Sequence, residues 1–232
     1  RAEELGLEGI SNAVEDIITA RDILLAKASG ARLHICHCST ADSARFIEMA
    51  KEQGLPVTGE VCPHHFTLSD EDIPADDANY KMNPPLRSPE DVRAIKEALH
   101  KDIIDVIATD HAPHGEEEKS GSMVHAPFGI VGLETAFSLT MTELVEPGII
   151  TLRQMVEKMC VNPAKILGIP RGCIGEGWTA DLVIADPKKE YRINKNTFCS
   201  KGKNTPFDQK EVIGKIEYTL VAGKIVYKAK EE

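Results

Sequence analysis

Apolar and polar positions along the first 110 residues follow the periods of helices and short strands. Apolar side chains recur every three or four positions from Ser11 to about Ser29, which predicts an amphipathic helix that Gly30 ends. Further elements are predicted as strands at 32–39, 57–62 and 103–109 and as helices at 40–53 and 88–100. Strands that alternate with helices predict a parallel sheet with crossover helices.

The second half of the chain changes character. Two helices are predicted between residues 133 and 167, separated by a Pro-Gly pair. β-branched residues bounded by glycines then predict short strands between residues 175 and 228, including a hairpin at 221–227. We therefore divide the chain into an α/β unit at residues 1–170 and a β segment at residues 171–232.

The number of strands limits the fold. Only three parallel strands are predicted before residue 133, whereas a closed eight-stranded barrel takes about 250 residues. The chain therefore has the pattern of the second half of a barrel. Either residues preceding Arg1 complete the sheet, or the chain forms a small open α/β domain.

Composition indicates a small-molecule partner. The 27 basic and 37 acidic residues give a net charge of −10, without a basic stripe, which argues against nucleic acid and anionic membranes as partners. No apolar run approaches about 18 residues and no signal peptide is evident, so we expect a cytoplasmic protein. The six cysteines include no Cys-x-x-Cys pair and indicate reduced thiols.

Potential catalytic side chains follow the predicted strands. Asp110, His111 and His114 come directly after the apolar run that ends at Thr109, and His37 lies near the carboxyl end of the first strand. A histidine and a carboxylate from different strand ends are typical of a catalytic zinc site. The competing interpretation is that Asp110 caps a turn, that His111 and His114 lie on the surface, and that His37 belongs to the core.

Two loops add groups that could bind a substrate. Asn83 and Arg87 lie in a long Pro-rich loop, where the amide could bind an amide or carboxylate and the guanidinium could clamp a carboxylate. A rigid loop with a surface arginine is the alternative. Phe128 and Gly129 precede a predicted helix, where backbone groups can approach a ligand closely.

The chain carries, in this order, the motifs His34-x-x-His37 with Ser39-Thr40, Glu60 to His65, Met82 to Arg87, Ile107 to His114, Pro127 to Glu134, Asn162-Pro163-Ala164, and Gly175 to Val183. Taken together, these motifs resemble the dihydroorotases of the longer bacterial type, in the amidohydrolase superfamily. They cover essentially the whole chain in order. The fold that this implies is α/β, the C-terminal part of a metal-dependent (β/α)8 TIM-type barrel followed by part of a small β-sandwich domain.

The resemblance also implies roles for individual residues. His37 matches a metal ligand, and Asp110 matches the aspartate that binds metal and transfers the proton. Asn83 and His114 match substrate-binding residues, as does the backbone near Phe128 and Gly129. Arg87 is expected in a supporting role, and His64, His65 and His111 have no assigned role.

The implied reaction is the reversible conversion of dihydroorotate to N-carbamoyl-aspartate in pyrimidine biosynthesis, with one or two zinc ions as cofactor. A homodimer is implied, and aspartate transcarbamoylase is admitted as a partner. A hydantoinase- or allantoinase-type cyclic amidohydrolase and a non-catalytic dihydroorotase-like subunit are the alternatives. The family's His-x-His motif and bridging ligand are expected before Arg1, so we expect this stretch by itself to be inactive.

Overall fold

The computed structural model describes residues 1–229. The helices are α1 (Asn12–Ser29), α2 (Ala41–Glu52), α3 (Pro63–Thr67), α4 (Pro89–His100), α5 (Glu116–Lys119), α6 (Ala136–Thr140), α7 (Leu152–Val156) and α8 (Asn162–Leu167). The strands are β1 (Leu33–Ile35), β2 (Val57–Val61), β3 (Val106–Ile107), β4 (Leu182–Arg192), β5 (Glu211–Val221) and β6 (Lys224–Lys228). π-helical turns at Met141–Val145 and Glu157–Val161 continue α6 and α7, and 3-10 turns lie at Asp70–Asp72, Ala78–Tyr80 and Lys195–Thr197.

Local capping explains where the longer helices begin and end. The Ser11 side chain accepts a hydrogen bond from the first turn of α1, and Gly30 ends this helix in the left-handed conformation. Thr40 caps α2 and Ser88 caps α4 in the same way, each through its side-chain oxygen. These three helices confirm the predicted segments to within a residue or two.

The strands β1, β2 and β3 form a parallel sheet in that order. Along β2 the buried residues are Val57, Gly59 and Val61, which alternate with Thr58 and Glu60. The buried side faces the helices: a Cβ at Gly59 would lie only 2.7 Å from Ile47 Cδ1 of α2. Thr58 and Glu60 therefore lie on the opposite face of the sheet.

Two of the parallel strands, β1 and β3, are several residues shorter than predicted. β1 ends at Ile35 and β3 at Ile107, because His37 and Asp110 have φ angles of 40° and 46°, outside the extended region. Regular alternation along the predicted strand at 32–39 would place Cys38 on the same face as His34, and this expectation is wrong. Cys38 is instead buried in the core against which Leu33 and Ile35 pack.

The strands β4, β5 and β6 form an antiparallel sheet in that order, and the predicted hairpin is confirmed between β5 and β6. β4 begins at Leu182, seven positions later than the predicted strand at 175, and extends to Arg192. A second core joins this sheet to the α/β unit, with Leu139 of α6 packed in one cluster with Ile193, Phe207 and Val212. The division at residue 170 stays a prediction.

Two short helices lie outside the predicted helical segments. α3 follows β2 directly, with Pro63 in its first turn, and α5 lies in the charged stretch after His114. Of the helices in residues 1–229, none is both long enough and apolar enough to cross a lipid bilayer.

Candidate active site

His37 and Asp110 lie just beyond the carboxyl ends of β1 and β3, the strands that flank β2. Both have the left-handed backbone conformation, which for residues with a side chain costs roughly 1–2 kcal/mol. The chain turns sharply at both positions, so that each side chain leaves the alternation of its strand. Such strained positions cluster at functional sites.

Glu60 connects the ends of β1 and β2. Its carboxylate accepts hydrogen bonds from His34 Nε2 at 3.0 Å and from the His37 backbone N–H at 3.4 Å. The Asp110 carboxylate lies close enough to respond to both neighbours: burial raises the pKa of Asp110, His37 lowers this pKa, and Glu60 raises it. The structure thus brings His37, Glu60 and Asp110 into one electrostatic group.

The donor atoms of this group are chemically suited to a divalent metal ion. The buried Nδ1 of His37 has no hydrogen-bond partner within residues 1–229. Burial disfavours the charged form of Asp110, and a cation would favour this form. Imidazole nitrogen and carboxylate oxygen are ligands that zinc binds in proteins. His37 and Asp110 are two ligands, fewer than the three protein ligands of catalytic zinc sites.

Other groups of potential ligands also lie near the strand ends. In two trios the donor atoms lie within 4.8 Å of one another: Cys62 with His64 and His65, and His34 with Cys36 and Glu60. In the first trio burial lowers the pKa of His65 to about 4 and raises that of Cys62 well above its ordinary value. His65 is therefore neutral near pH 7, and its Nε2–H donates to Pro84 O at 2.8 Å.

Asn83 lies on the wall of a cavity of about 420 Å³ that it shares with His37. The peptide bond between Asn83 and Pro84 is cis. His65 holds this turn through its hydrogen bond to Pro84. The structure therefore brings the predicted substrate residue Asn83 to the predicted metal ligand His37.

Arg87 also lines this cavity, but its side chain is buried and already partnered. It donates to Ser39 Oγ at 3.0 Å, Ile10 O at 2.8 Å and Asn12 Oδ1 at 3.1 Å. The alternative interpretation, in which Arg87 lies on the surface, is therefore wrong. Arg87 joins its loop to the start of α1, which agrees with a supporting role.

His114, Phe128 and Gly129, which follow Asp110 in the chain, lie together. His114 Nε2 lies 3.0 Å from Phe128 O, which requires the proton on Nε2. Gly129 has a φ of 117°, and a Cβ there would lie 2.4 Å from the Ala112 Cβ. The segment carrying Phe128 thus passes directly over the segment that carries His114, where only glycine fits.

His111 supports this crossing and does not lie free on the surface. Its Nδ1 accepts hydrogen bonds from Gly132 N at 3.1 Å and Leu133 N at 3.4 Å. Its backbone pairs with Ile130 in a parallel bridge. His111 therefore holds the chain that leads into α6. The sequence had assigned no role to this residue.

Two buried residues at this site were missed from the sequence. Lys119 Nζ donates to Pro127 O at 3.0 Å and to Gly129 O at 2.9 Å. Asn204 Nδ2 donates to Gly129 O at 3.1 Å. Lys119 lies in a charged stretch and Asn204 in the β segment, so neither belonged to a motif or to a strand end. Their contacts appear only in three dimensions.

Comparison with known proteins places this arrangement in a family. The model of the amidohydrolase family matches residues 6–226. A dihydroorotase of Bacillus licheniformis is 52% identical over 226 residues, which is 97% of this chain and 53% of that protein. A dihydroorotase of Bacillus subtilis is 51% identical over 222 residues, 96% of this chain and 52% of that protein. The chain thus spans about half the length of the curated relatives it matches.

Solved structures show the same fold. An L-hydantoinase (dihydropyrimidinase) from Arthrobacter aurescens has a TM-score of 0.86 at 32% identity, covering 93% of this chain and 49% of that chain. A dihydropyrimidinase from Brevibacillus agri also has a TM-score of 0.86, at 29% identity, covering 92% of this chain and 48% of that chain. The parallel sheet described here is part of a TIM-type barrel, as predicted. The chain belongs to the amidohydrolase family.

Proposed function

We propose that the complete protein carrying this chain is a dihydroorotase, which interconverts dihydroorotate and N-carbamoyl-aspartate in pyrimidine biosynthesis. The observation that carries the proposal is the identity of 51–53% to curated dihydroorotases over nearly the whole chain. The geometry supports it, because Asp110, His37 and Asn83 lie around the strand ends and His114 lies against the Phe128 carbonyl.

The proposed roles are those that the resemblance to the dihydroorotases implies, and the positions of the side chains support them. Asp110 accepts a proton from the attacking water and returns it to the amide nitrogen that leaves the ring. Its raised pKa suits a group that must both accept and return a proton. Asn83 and His114 bind the substrate carboxylate, and the backbone at Phe128 and Gly129 binds the ring.

We assign zinc, as one or two ions in the complete protein, to His37 and Asp110 together with further ligands. The ion, when bound, lowers the pKa of a water molecule and polarises the ring carbonyl. His37 contributes a neutral nitrogen and Asp110 a carboxylate oxygen. A homodimer, and an association with aspartate transcarbamoylase, belong to the proposal as partners of the complete protein.

A hydantoinase-type activity is the second candidate, favoured by the similarity of the fold to hydantoinase structures. Those structures are 26–32% identical to this chain, well below the identity to the dihydroorotases. We therefore expect dihydroorotate to be the preferred substrate. Assays of the complete protein with dihydroorotate, hydantoin, dihydrouracil and allantoin, each with and without added zinc, distinguish the two activities.

The role of Asp110 is tested by Asp110→Asn in the complete protein. Loss of the proton-transferring group lowers kcat on the order of 100- to 10,000-fold, while the unfolding midpoint stays close to that of the wild type. Asp186→Asn is the matched control, because Asp186 is exposed on β4 and, within residues 1–229, its side chain accepts only from the Lys188 N–H. Its kcat stays at the wild-type value.

Two outcomes would contradict the proposal or one of its residue roles. Wild-type protein that binds zinc but does not turn over dihydroorotate would exclude the activity. If that protein bound aspartate transcarbamoylase, the non-catalytic subunit would replace the enzyme as the interpretation. Undiminished turnover by Asp110→Asn would remove Asp110 from the proton-transfer role.

A further inference from the structure

Asn204 lies outside every motif discussed so far, in the chain between β4 and β5. The residue is only 5% exposed. Its side-chain oxygen accepts from the His114 backbone N–H at 3.0 Å. Its side-chain nitrogen donates to Ala112 O at 3.0 Å and to Gly129 O at 3.1 Å. One buried amide thus binds both backbone segments of the candidate substrate site.

The backbone of Asn204 adds to this bridge. Its carbonyl accepts from the Val131 N–H at 3.0 Å. Both Nδ2 protons and the Oδ1 atom of Asn204 are therefore in use, and its backbone is bound to the same segment as its side chain. A fully satisfied buried amide of this kind fixes the groups around it, because losing any one bond leaves a buried polar atom without a partner.

Gly202 allows this approach. A Cβ at Gly202 would lie 2.8 Å from Pro113 Cβ, 2.9 Å from Asn204 Oδ1 and 2.9 Å from His114 N. The β segment therefore touches the His114 segment without room for a side chain. Because Asn204 Oδ1 and His114 N are the two atoms of one hydrogen bond, a methyl group at Gly202 would push against that bond.

We propose that Asn204 is a positioning residue, contributed by the β segment, which fixes the spacing between the backbone at His114 and the backbone at Phe128 and Gly129. The inference rests on the proposed function for its effect on substrate. It gives the β segment a part in the site: the connection between β4 and β5 carries the residue that fixes the spacing of the two substrate-binding segments.

The test uses the complete protein with Asn204→Ala and Gly202→Ala. Because both segments contact the substrate before and during the reaction, their displacement weakens binding in both states, and we expect KM for dihydroorotate to rise on the order of 10- to 100-fold. We expect kcat to change less than about threefold. Asn162→Ala is the matched control: its amide likewise donates to a backbone carbonyl, Asp105 O at 2.9 Å, before β3 and away from the site. Its KM stays at the wild-type value.

A second measurement does not depend on activity. Amide hydrogen exchange at His114 becomes faster in Asn204→Ala and stays at the wild-type rate in Asn162→Ala. If the wild type does not turn over dihydroorotate, the proposed function fails, and the exchange experiment still decides the role of Asn204. Unchanged exchange at His114 would overturn the positioning role, as would equal KM values for Asn204→Ala and Asn162→Ala.

Discussion

Substitution of Gly129 by alanine tests the packing of the candidate site most directly. The added methyl group has two energetic costs, backbone strain at a positive φ and overlap with neighbouring atoms, and a second glycine separates them. Gly129 has a φ of 117°, and Gly148, in the turn after α6, has a φ of 74°. A Cβ at Gly148 would meet no atom within 4 Å, whereas a Cβ at Gly129 would lie 2.4 Å from Ala112 Cβ. Gly148→Ala therefore carries the backbone cost alone, and Gly129→Ala carries both costs.

The expected magnitudes follow from these distances. The left-handed φ of 74° costs an alanine about 1–2 kcal/mol, so Gly148→Ala lowers the free energy of unfolding by about that amount. The φ of 117° at Gly129 lies further from this region, so its backbone cost is at least as large. At Gly129 the carbon atoms would approach to 2.4 Å, against an optimum of about 3.5–4.0 Å. Overpacking of this kind adds about 1–3 kcal/mol. We expect Gly129→Ala to lower the free energy of unfolding by about 2–5 kcal/mol.

Urea unfolding of the two variants of the complete protein measures the difference. Relief of the overlap must move either Ala112 or the Gly129 backbone, and both belong to segments that hold His114. We therefore also expect KM to rise in Gly129→Ala and not in Gly148→Ala. Equal losses of stability in the two variants, with equal KM values, would refute the packing argument.

Two further predictions concern His65 and Arg87, which hold the loop that carries Asn83. Burial lowers the pKa of His65 from 6.5 to about 4, so the unfolded state binds more protons between these values. The free energy of unfolding therefore decreases as pH falls from about 6.5 to about 4, by up to roughly 3 kcal/mol. Urea unfolding of His65→Gln across this pH range shows a smaller decrease. Equal pH dependence in the variant and the wild type would contradict the lowered pKa of His65. Arg87→Lys removes the planar group that reaches Ser39 and Ile10, and we expect a loss of about 1–3 kcal/mol. Arg93 is exposed and, in the part of the chain that the structure describes, pairs only with Glu90, so Arg93→Lys stays within about 0.5 kcal/mol in the same assay. Equal losses in the two variants would show that the Arg87 contacts contribute little.

The features that the sequence determined are those whose causes lie within a few residues. Helix α1 begins after Ser11 and ends at Gly30 because a capping hydroxyl and a left-handed glycine act on the adjacent turns. The hairpin between β5 and β6 follows equally from local turn chemistry at Ala222 and Gly223. The order of strands and helices was therefore predictable, as was the position of His37 near the carboxyl end of one strand and of Asp110 after another.

The tertiary structure decided what depends on distant parts of the chain. The sequence could not show that β1 and β3 stop early, because the turns at His37 and Asp110 are stabilised by surroundings that no local pattern encodes. Nor could it show Asn204, which reaches the His114 N–H across 90 positions of sequence. A hydrogen bond between a side chain and a distant backbone leaves no periodicity and no spacing. For this reason the strand-end residues of the site were found from the sequence, and the residue that joins its two substrate-binding segments was found only in the folded chain.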